Sequence, residues 1–282
     1  MRVTSLIENE TEAGRDDLAC EHGLSLHIQS GDTTILFDTG SSGAFADNAD
    51  ALGVDLAAVG LAVLSHQHFD HSGGFGRFFE ANQTARVYLR DCKVEDRWVK
   101  LLKVIKKPIG VDRRLFTRRI ERFEYLKADT EIAPGVWVLT WIGTKHPKPK
   151  GNAHLFVERD GALQPDPFDH EVVLVVREDD GMVVFSGCSH SGILNMVDTA
   201  RARFPDDRLK AVFGGFHLIG LPIFNTMAGT PDEVEEIGRA MLERVDGVTY
   251  TGHCTGKKAF AVLAGVMGDA LLPFSTGATV EV

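Results

Sequence analysis

The sequence has few cysteines, no long apolar run and no surplus of positive charge. Four cysteines in 282 residues are too few for a disulfide scaffold, so we expect them to be reduced. No stretch reaches the roughly 18–20 unbroken apolar residues that a membrane span needs, and the first residues lack the apolar segment of a secretory signal. The net charge of −10 argues against nucleic acid as a partner. We therefore expect a cytoplasmic protein with no membrane or nucleic-acid partner.

The charge is distributed unevenly along the chain. Between Lys93 and Arg122 there are eleven Lys/Arg and four Asp/Glu, a local balance of +7. Apolar residues in this segment recur at helical spacing, at Val94, Trp98, Leu101, Leu102 and Ile105. We therefore predict a basic helical insertion at about 91–130. Its charge is either that of a solvated helical face or that of a surface that attracts an anionic substrate.

Apolar runs that alternate with helical patterns indicate sheets covered by helices. Strands are predicted at 24–29, 33–38, 61–65, 86–89, 136–142, 153–157, 172–176, 182–186, 209–213, 248–251 and 276–282. Helices are predicted at 44–52, 73–81, 193–203 and 257–267, and after Thr230, where T-P-D-E has the form of a capping box. We expect a single domain over 1–282, of mixed α/β class, with two sheets packed face to face and helices outside.

The stretch HQHFDH, at 66–71, crowds four potential metal ligands into one loop directly after an apolar strand. His66 and His68 are two residues apart, so in extended backbone both imidazoles point the same way and can bind one cation. Asp70 and His71 are adjacent in a turn and suit a second ion nearby. Two ions about 3.5–4 Å apart can share a hydroxide that is nucleophilic near neutral pH. The loop therefore predicts a two-metal site.

HQHFDH matches the H-x-H-x-D-H motif of the metallo-β-lactamase superfamily, and ILFDTG (35–40) resembles the strand and turn that precede this motif. Three later stretches resemble one branch of that superfamily: FSGCSHSG (185–192), FGGFHL (213–218) and TGHCTG (251–256). The branch includes dihydropterin–ribofuranosylaminobenzene-phosphate synthases and uncharacterised metal-dependent hydrolases. The resemblance covers nearly the whole chain. It implies a four-layer αββα sandwich of two mixed sheets flanked by helices.

The resemblance also implies which residues complete the metal site. His253 would join Asp70 and His71 on one ion, and His190 would join His66 and His68 on the other. Cys188 stands where many superfamily members carry a bridging aspartate, so it is either a thiolate ligand or a small buried residue. A sulfur ligand would favour zinc over manganese. We expect two divalent ions, with zinc favoured and manganese or iron as alternatives.

Other residues are assigned supporting roles by the same resemblance. Asp70 and His217 are the candidate catalytic residues, with His217 facing the substrate as proton donor or orienting group or, alternatively, being a core histidine. Asp38, Glu171 and Cys254 are candidates for contacting the metal ligands, and not the metal itself, and so holding those ligands in position. His146 and His154 flank the KPKGN turn and match no motif, whereas His22, His27 and His170 are expected to be structural.

Three functions remain open from the sequence. The first is a metallo-hydrolase that uses a dinuclear-metal-bound hydroxide on an ester, phosphoester or related bond of an anionic small molecule. The second is a pterin-synthase-type transferase that joins an arylamine to a pterin pyrophosphate. The third is a non-catalytic metal-binding protein. The basic segment and the lysines of the 145–150 turn fit an anionic substrate in the first two cases, and nothing in the sequence predicts an oligomeric state.

Overall fold

The computed structural model describes residues 1–101, 105–220 and 226–282 of the chain. Its helices are α1 (Ala44–Ala51), α2 (Phe69–Ser72), α3 (Phe75–Ala81), α4 (Arg113–Arg118), α5 (Ile193–Arg203), α6 (Pro231–Leu242) and α7 (Lys257–Met267). Its strands are β1 (Arg2–Ile7), β2 (Ser25–Ser30), β3 (Thr33–Phe37), β4 (Leu61–Val63), β5 (Arg86–Arg90), β6 (Asp96–Leu101), β7 (Ile105–Pro108), β8 (Phe123–Leu126), β9 (Thr130–Ala133), β10 (Val136–Leu139), β11 (Leu155–Arg159), β12 (Ala162–Pro165), β13 (Val173–Glu178), β14 (Gly181–Phe185), β15 (Leu209–Phe213), β16 (Val248–Thr251), β17 (Leu271–Pro273) and β18 (Thr279–Glu281).

The chain divides into two compact units, and the first, unit 1, comprises residues 1–96, 109–127 and 274–282. Within the described ranges it contains a seven-stranded mixed sheet in the order β18-β1-β2-β3-β4-β5-β8. Strands β3, β4, β5 and β8 run parallel to one another. The apolar faces of α1 and α3, which include Phe45 and Phe75, pack into a core with residues such as Leu36 and Ala62 of that sheet. This core supports the loop that follows β4.

The second unit, unit 2, comprises residues 97–108 and 128–273. In the part of the chain that the structure describes, it holds a seven-stranded sheet in the order β17-β16-β15-β14-β13-β10-β9 and a smaller sheet in the order β12-β11-β6-β7. Strands β14 to β17 are parallel neighbours. Helices α5, α6 and α7 bury Met196, Val234 and Leu263 in one apolar cluster with strand residues such as Val184 and Val212. Because β14, β15 and β16 are parallel, their carboxyl ends face the same way.

Most predicted elements are present, and the predicted class of mixed α/β structure is confirmed. Helices α5 and α7 begin and end at the predicted residues, and the Thr230 hydroxyl and the Glu233 carboxylate form the predicted capping box of α6. Strand β1 was missed. Its side chains are buried on both faces after Arg2, so it lacks the alternation that marks a half-buried strand.

The helix predicted in the basic segment is wrong. Strands β6 and β7 occupy this stretch as an antiparallel hairpin, with Lys106 lying over the Trp98 ring. The apolar residues at helical spacing lie on these strands, Trp98 and Leu101 on β6 and Ile105 at the start of β7, because a few apolar recurrences in a short window fit either kind of element. Arg97, also on β6, is buried. Leu102, one residue of the predicted stripe, lies outside the described residues. Helix α4 is short, and β8 belongs to the large sheet of unit 1 rather than to an insertion beside it.

None of the described helices combines the length and the apolar character needed to cross a membrane. The prediction of a single domain over 1–282 is not tested by the division into two compact units, and it stays a prediction.

Candidate metal centre

In unit 1, the motif residues follow the carboxyl ends of neighbouring parallel strands. Phe37 of β3 pairs with Val63 of β4. Asp38 comes directly after β3, and Ser65 and His66 come two and three residues after β4. Ligand sites in α/β proteins commonly form beyond the carboxyl ends of such strands. The parallel pairing is therefore what brings Asp38 to the start of the HQHFDH loop.

Asp38 is a fully buried carboxylate on which three donors converge. It accepts hydrogen bonds from the Ser65 backbone N–H at 2.8 Å and from the Ser65 hydroxyl at 2.6 Å. Its Oδ2 also lies 2.6 Å from Nδ1 of His71. An ionised carboxylate can only accept, so Nδ1 of His71 carries the proton and Nε2 carries the lone pair. The burial of Asp38 makes these contacts difficult to replace with water.

Ser65 likewise fixes which ring nitrogen of a second histidine, His66, carries the proton. Its hydroxyl hydrogen is used toward Asp38, so its oxygen accepts from Nδ1 of His66, which lies 2.9 Å away. Nε2 of His66 is therefore also left with its lone pair. A metal-binding histidine commonly has its other ring nitrogen held in this way. Ser65 belongs to no recognised motif, and its position directly before HQHFDH was the one signal that could have identified it.

The four motif side chains form one buried group in unit 1. Nε2 of His66 lies 3.1 Å from Nδ1 of His68, and Nε2 of His71 lies 3.6 Å from Oδ2 of Asp70. Imidazole nitrogens and a carboxylate oxygen at such spacing are donors that zinc takes at about 2.0–2.2 Å. The group fits a divalent ion chemically, and ligation of an ion by these residues stays a prediction.

His22 was expected to be structural, but it contacts this group. Its Nε2 lies 3.3 Å from Oδ2 of Asp70, and its side chain is half exposed. The neighbouring Glu21 accepts hydrogen bonds from the backbone N–H groups of Ser41 and Ser42, which holds the segment in place. His22 therefore lies between Asp70 and solvent.

The two glycines after the motif are required by close packing. A Cβ atom on Gly73 would lie 2.0 Å from the Ser41 carbonyl oxygen, and one on Gly74 would lie 2.3 Å from the Thr39 oxygen. The Gly73 N–H also donates to the Gly40 carbonyl at 2.8 Å. The absence of side chains at Gly73 and Gly74 thus lets the HQHFDH loop pack directly on the turn that follows β3.

Gly73→Ala is expected to destabilise unit 1 by about 1–3 kcal/mol, because the added methyl group overlaps backbone that cannot move away. Gly76→Ala is the matched control. Gly76 lies inside α3 with nothing within 4 Å of an added Cβ, so alanine there should be neutral or stabilise by about 0.5–1 kcal/mol. Denaturant unfolding of the two variants measures the difference, and equal effects would contradict the packing explanation.

In unit 2, three potential ligands follow the carboxyl ends of three adjacent parallel strands. Cys188 lies three residues after β14, His217 four residues after β15, and His253 two residues after β16. Phe213 of β15 pairs with Phe185 of β14 and with Tyr250 of β16, so the three strand ends are level. The motifs FSGCSHSG, FGGFHL and TGHCTG therefore meet at one edge of this sheet.

The structure brings Cys188, His190 and His217 together, with their potential ligand atoms all within 4.8 Å of one another. The Cys188 sulfur also lies 3.3 Å from Nε2 of His253. The Cys254 thiol lies beside this cluster: it donates to the Cys188 carbonyl at 3.5 Å and forms side-chain hydrogen bonds with Cys188 and His217. A thiol among imidazoles is a donor set that suits zinc. Ligation by Cys188 stays a prediction.

Glu171 holds the loop that carries His190. Its two carboxylate oxygens accept from the backbone N–H groups of His190, at 2.6 Å, and Ser191, at 2.7 Å. Complete burial raises the pKa of Glu171 to about 7, against the opposing effect of the hydrogen bonds from Ser191 and His190. Glu171 thus contacts the backbone of the candidate ligand His190 rather than its ring.

Left-handed backbone is concentrated in these loops. Non-glycine residues in this region carry strain and commonly mark functional sites. Of the six found among the described residues, Asp38 lies in the motif group of unit 1, and Phe168, Ser189, His217 and His253 lie in or beside the cluster of unit 2. The strain is independent of the side-chain chemistry and marks the same residues.

The remaining histidines are placed as follows. His146 lies 2.8 Å from the Asp198 carboxylate, and His154 ends a short 3-10 helix. His170 is buried beside Asp166, which also pairs with Arg97. Sequence reasoning missed the roles of two further residues at His190, Asn152 and Phe168, because neither belongs to a recognised motif. The only local signal was the turn-rich and acidic character of their segments.

The fold and these clusters define a mixed α/β protein in which each unit carries a group of potential metal ligands after the carboxyl ends of its parallel strands. Residues 19–212, more than half of the chain, match the family model described as the Metallo-beta-lactamase superfamily. The chain belongs to that superfamily, as its motifs predicted.

Individual relatives agree with this assignment. The crystal structure of Tm1679, titled a metal-dependent hydrolase of the beta-lactamase superfamily, is 30% identical, with a TM-score of 0.81 over 100% of this chain and 99% of its own. A 7,8-dihydropterin-6-methyl-4-(beta-D-ribofuranosyl)-aminobenzene-5'-phosphate synthase of Methanocaldococcus jannaschii is 27% identical over 85% of this chain and 82% of its own length. Uncharacterized protein MJ0448 of the same organism is 26% identical over 86% and 88%. The metallo-β-lactamase-like fold is therefore confirmed.

Proposed function

We propose that the protein is a metal-dependent hydrolase that acts on an ester, phosphoester or related bond of an anionic small molecule. The observation that carries the proposal is the buried motif group of unit 1, in which Asp38 and Ser65 leave Nε2 of His71 and His66 ready to bind a cation. Membership of the superfamily and the likeness to a protein titled a metal-dependent hydrolase support it.

The proposed ligands divide between two divalent ions, with zinc favoured and manganese or iron as alternatives. One ion takes His66, His68 and His190, and the other takes Asp70, His71 and His253. Cys188 is proposed as an additional sulfur ligand, which would favour zinc over manganese because sulfur is a soft donor. The ions would lower the pKa of water and bind the negative charge that develops on the substrate.

The chain's own groups supply the rest of the reaction. Asp70 orients the attacking water by accepting its proton, and the contact with half-exposed His22 gives that proton a path to solvent. His217, whose ring centroid lies 4.2 Å from that of His190, donates a proton to the leaving group or orients the substrate. Glu171 and Asp38 hold the ligands in place through the hydrogen bonds described above.

Lys148 is the proposed contact for the substrate's negative charge. Of the three lysines in the 145–150 turn, Lys145 faces Asp198 and Lys150 faces Glu233. Lys148 forms no ion pair in the part of the chain that the structure describes. Its ammonium donates to the Pro167 carbonyl and lies 5.7 Å from the centre of the Phe168 ring. A cation without a carboxylate partner attracts an anionic group more strongly than a neutralised one.

A pterin-synthase-type transferase is the second candidate, favoured by the 27% identity to the dihydropterin synthase. In that reaction an arylamine would replace water as nucleophile, and pyrophosphate would leave from a pterin pyrophosphate. The same ligands and the same lysine would serve both reactions, so the nature of the nucleophile is the difference to be measured.

The test is an assay of the metal-loaded protein against phosphodiesters, phosphomonoesters, lactones and thioesters, and separately against a pterin pyrophosphate with an arylamine. Hydrolysis that is lost in His68→Ala and kept in His27→Gln would support the hydrolase, since His27 lies within β2, where it pairs with Thr4 and Leu36. Lys148→Met should raise KM for anionic substrates and leave neutral ones unaffected.

Two other outcomes would change the proposal. Product formation only from the pterin pyrophosphate and the arylamine would replace the hydrolase with the transferase. Metal binding without turnover of either class would leave a non-catalytic metal-binding protein.

A further inference from the structure

The Asn152 side chain forms two hydrogen bonds with His190. It lies in the short 3-10 helix Lys150–His154, at the end of the KHPKPKGN turn. Its side-chain Nδ2 donates to the His190 carbonyl oxygen at 2.8 Å, and its Oδ1 lies 2.9 Å from Nδ1 of His190. One short amide therefore contacts both the backbone and the ring of the same histidine.

These two contacts together determine where the proton of His190 lies. A backbone carbonyl oxygen can only accept a hydrogen bond, so the amide nitrogen of Asn152 must face it. The amide oxygen then faces the imidazole, and an amide oxygen also can only accept. Nδ1 of His190 must therefore carry the proton, and Nε2 carries the lone pair. The reversed amide would place two oxygens 2.8 Å apart with no hydrogen between them.

Other side chains hold the rest of His190. The Phe168 ring stacks on the imidazole with centroids 4.3 Å apart and an interplanar angle of 8°. Glu171 holds the backbone N–H groups of His190 and Ser191. Phe168 and Glu171 thus hold the plane of the ring and the path of the backbone, and Asn152 contacts the ring nitrogen Nδ1.

We propose that Asn152 is a positioning residue that keeps His190 in the tautomer with the proton on Nδ1, so that Nε2 is ready for a metal ion before the ion arrives. The metal step of this inference rests on the proposed function, in which His190 is a ligand. A metal binds the lone pair of a neutral imidazole nitrogen, so the other tautomer would present an N–H group at the ligand position. The proton position itself follows from the hydrogen bonds of unit 2 alone.

The tautomer can be measured directly in the metal-free protein. Long-range proton–nitrogen NMR on protein with ¹⁵N-labelled histidine distinguishes the two tautomers, and the His190 signals are identified by their loss in His190→Gln. In the wild type we expect the proton on Nδ1. Asn152→Ala should give a mixture of tautomers and weaken zinc binding about 10–100-fold in competition with a chelator. Asn152→Asp should keep the proton on Nδ1, because a carboxylate oxygen also accepts from it, but should lower the melting temperature, because its other oxygen replaces the donor to the His190 carbonyl.

Asn195→Ala is the matched control. Asn195 binds the same turn, through the backbone N–H and carbonyl of His146, and the same loop, through the Ser191 carbonyl, but its side chain forms no hydrogen bond to an imidazole. It should lower the melting temperature and leave the His190 tautomer unchanged. The proposal is overturned if Asn152→Ala keeps the wild-type tautomer, or if Asn195→Ala shifts the tautomer equally.

The same measurements separate this inference from the proposed function. If the tautomer depends on Asn152 as expected but His190→Gln binds zinc as tightly as the wild type, the positioning role of Asn152 is supported and His190 is removed from the ligand set.

Discussion

Asp38→Asn is expected to weaken zinc binding about 10–100-fold, the usual cost of changing a group that holds a metal ligand. The Ser65 N–H, the Ser65 hydroxyl and Nδ1 of His71 all point at this one carboxylate. An asparagine has a single acceptor oxygen, so its NH₂ group would face at least one of these donors. If the NH₂ group takes the place of Oδ2, the Ser65 hydroxyl and Nδ1 of His71 lose their acceptor, and His66 and His71 are released from the tautomers that leave Nε2 ready to bind. If it takes the place of Oδ1, the Ser65 N–H loses its acceptor and the loop that carries both histidines is loosened. Competition with a chelator measures the change.

The control for Asp38→Asn is a substitution at Glu21, a carboxylate that accepts hydrogen bonds from backbone N–H groups and not from a histidine ring. Glu21 accepts hydrogen bonds from the N–H groups of Ser41 and Ser42 in the same unit. Glu21→Gln should therefore cost some stability and leave zinc affinity close to that of the wild type. If Asp38→Asn binds zinc as the wild type does, Asp38 does not act through the histidines.

Asp166→Asn is expected to lower the free energy of unfolding by about 3–5 kcal/mol, because it leaves the charge of Arg97 buried without its carboxylate. Nε of Arg97 and Oδ2 of Asp166 are 3.1 Å apart, and each side chain is only 1% exposed. Removing one partner of such a pair is costly even where the intact pair contributes little. Asp166 also accepts from the Phe168 N–H, so the segment that stacks on His190 should loosen as well.

An exposed ion pair is the control for this buried one. Arg2 and Glu281 are joined through the same kind of atoms at 2.8 Å, with side chains that are 58% and 65% exposed. Glu281→Gln should change stability only slightly, since solvent screens exposed pairs. Adding Arg97→Met to Asp166→Asn removes the buried charge and should recover much of the loss. Equal losses in the single and double variants would show that charge burial is not the cause.

Local spacing was enough to identify half of the candidate site. HQHFDH places its four side chains within one loop, so no knowledge of distant contacts was needed to recognise them. The strands before Cys188, His217 and His253 were also predictable, because short apolar runs bounded by glycine mark buried strands. That these three residues lie at one edge of the sheet depends on the parallel pairing of β14, β15 and β16, which the structure shows.

The groups that hold the ligands could not be predicted in the same way. Asn152 is 38 positions from His190, and Arg97 is 69 positions from Asp166. No periodicity connects residues so far apart, and an asparagine in a turn has the same local pattern whether it faces a histidine or water. Arg97 is one of the eleven basic residues of its segment, and nothing near it in the sequence marks it as the buried one.

The sequence by itself determined the superfamily, the mixed α/β class and the identity of the candidate ligands, because each of these depends on short runs of residues. Only the tertiary structure decided which nitrogen of each histidine is left ready to bind, since that depends on single hydrogen bonds from Asp38, Ser65 and Asn152. The physical reason is range: apolar patterns and ligand spacing act within one strand or loop, whereas a tautomer is set by a contact of about 3 Å between segments that only folding brings together.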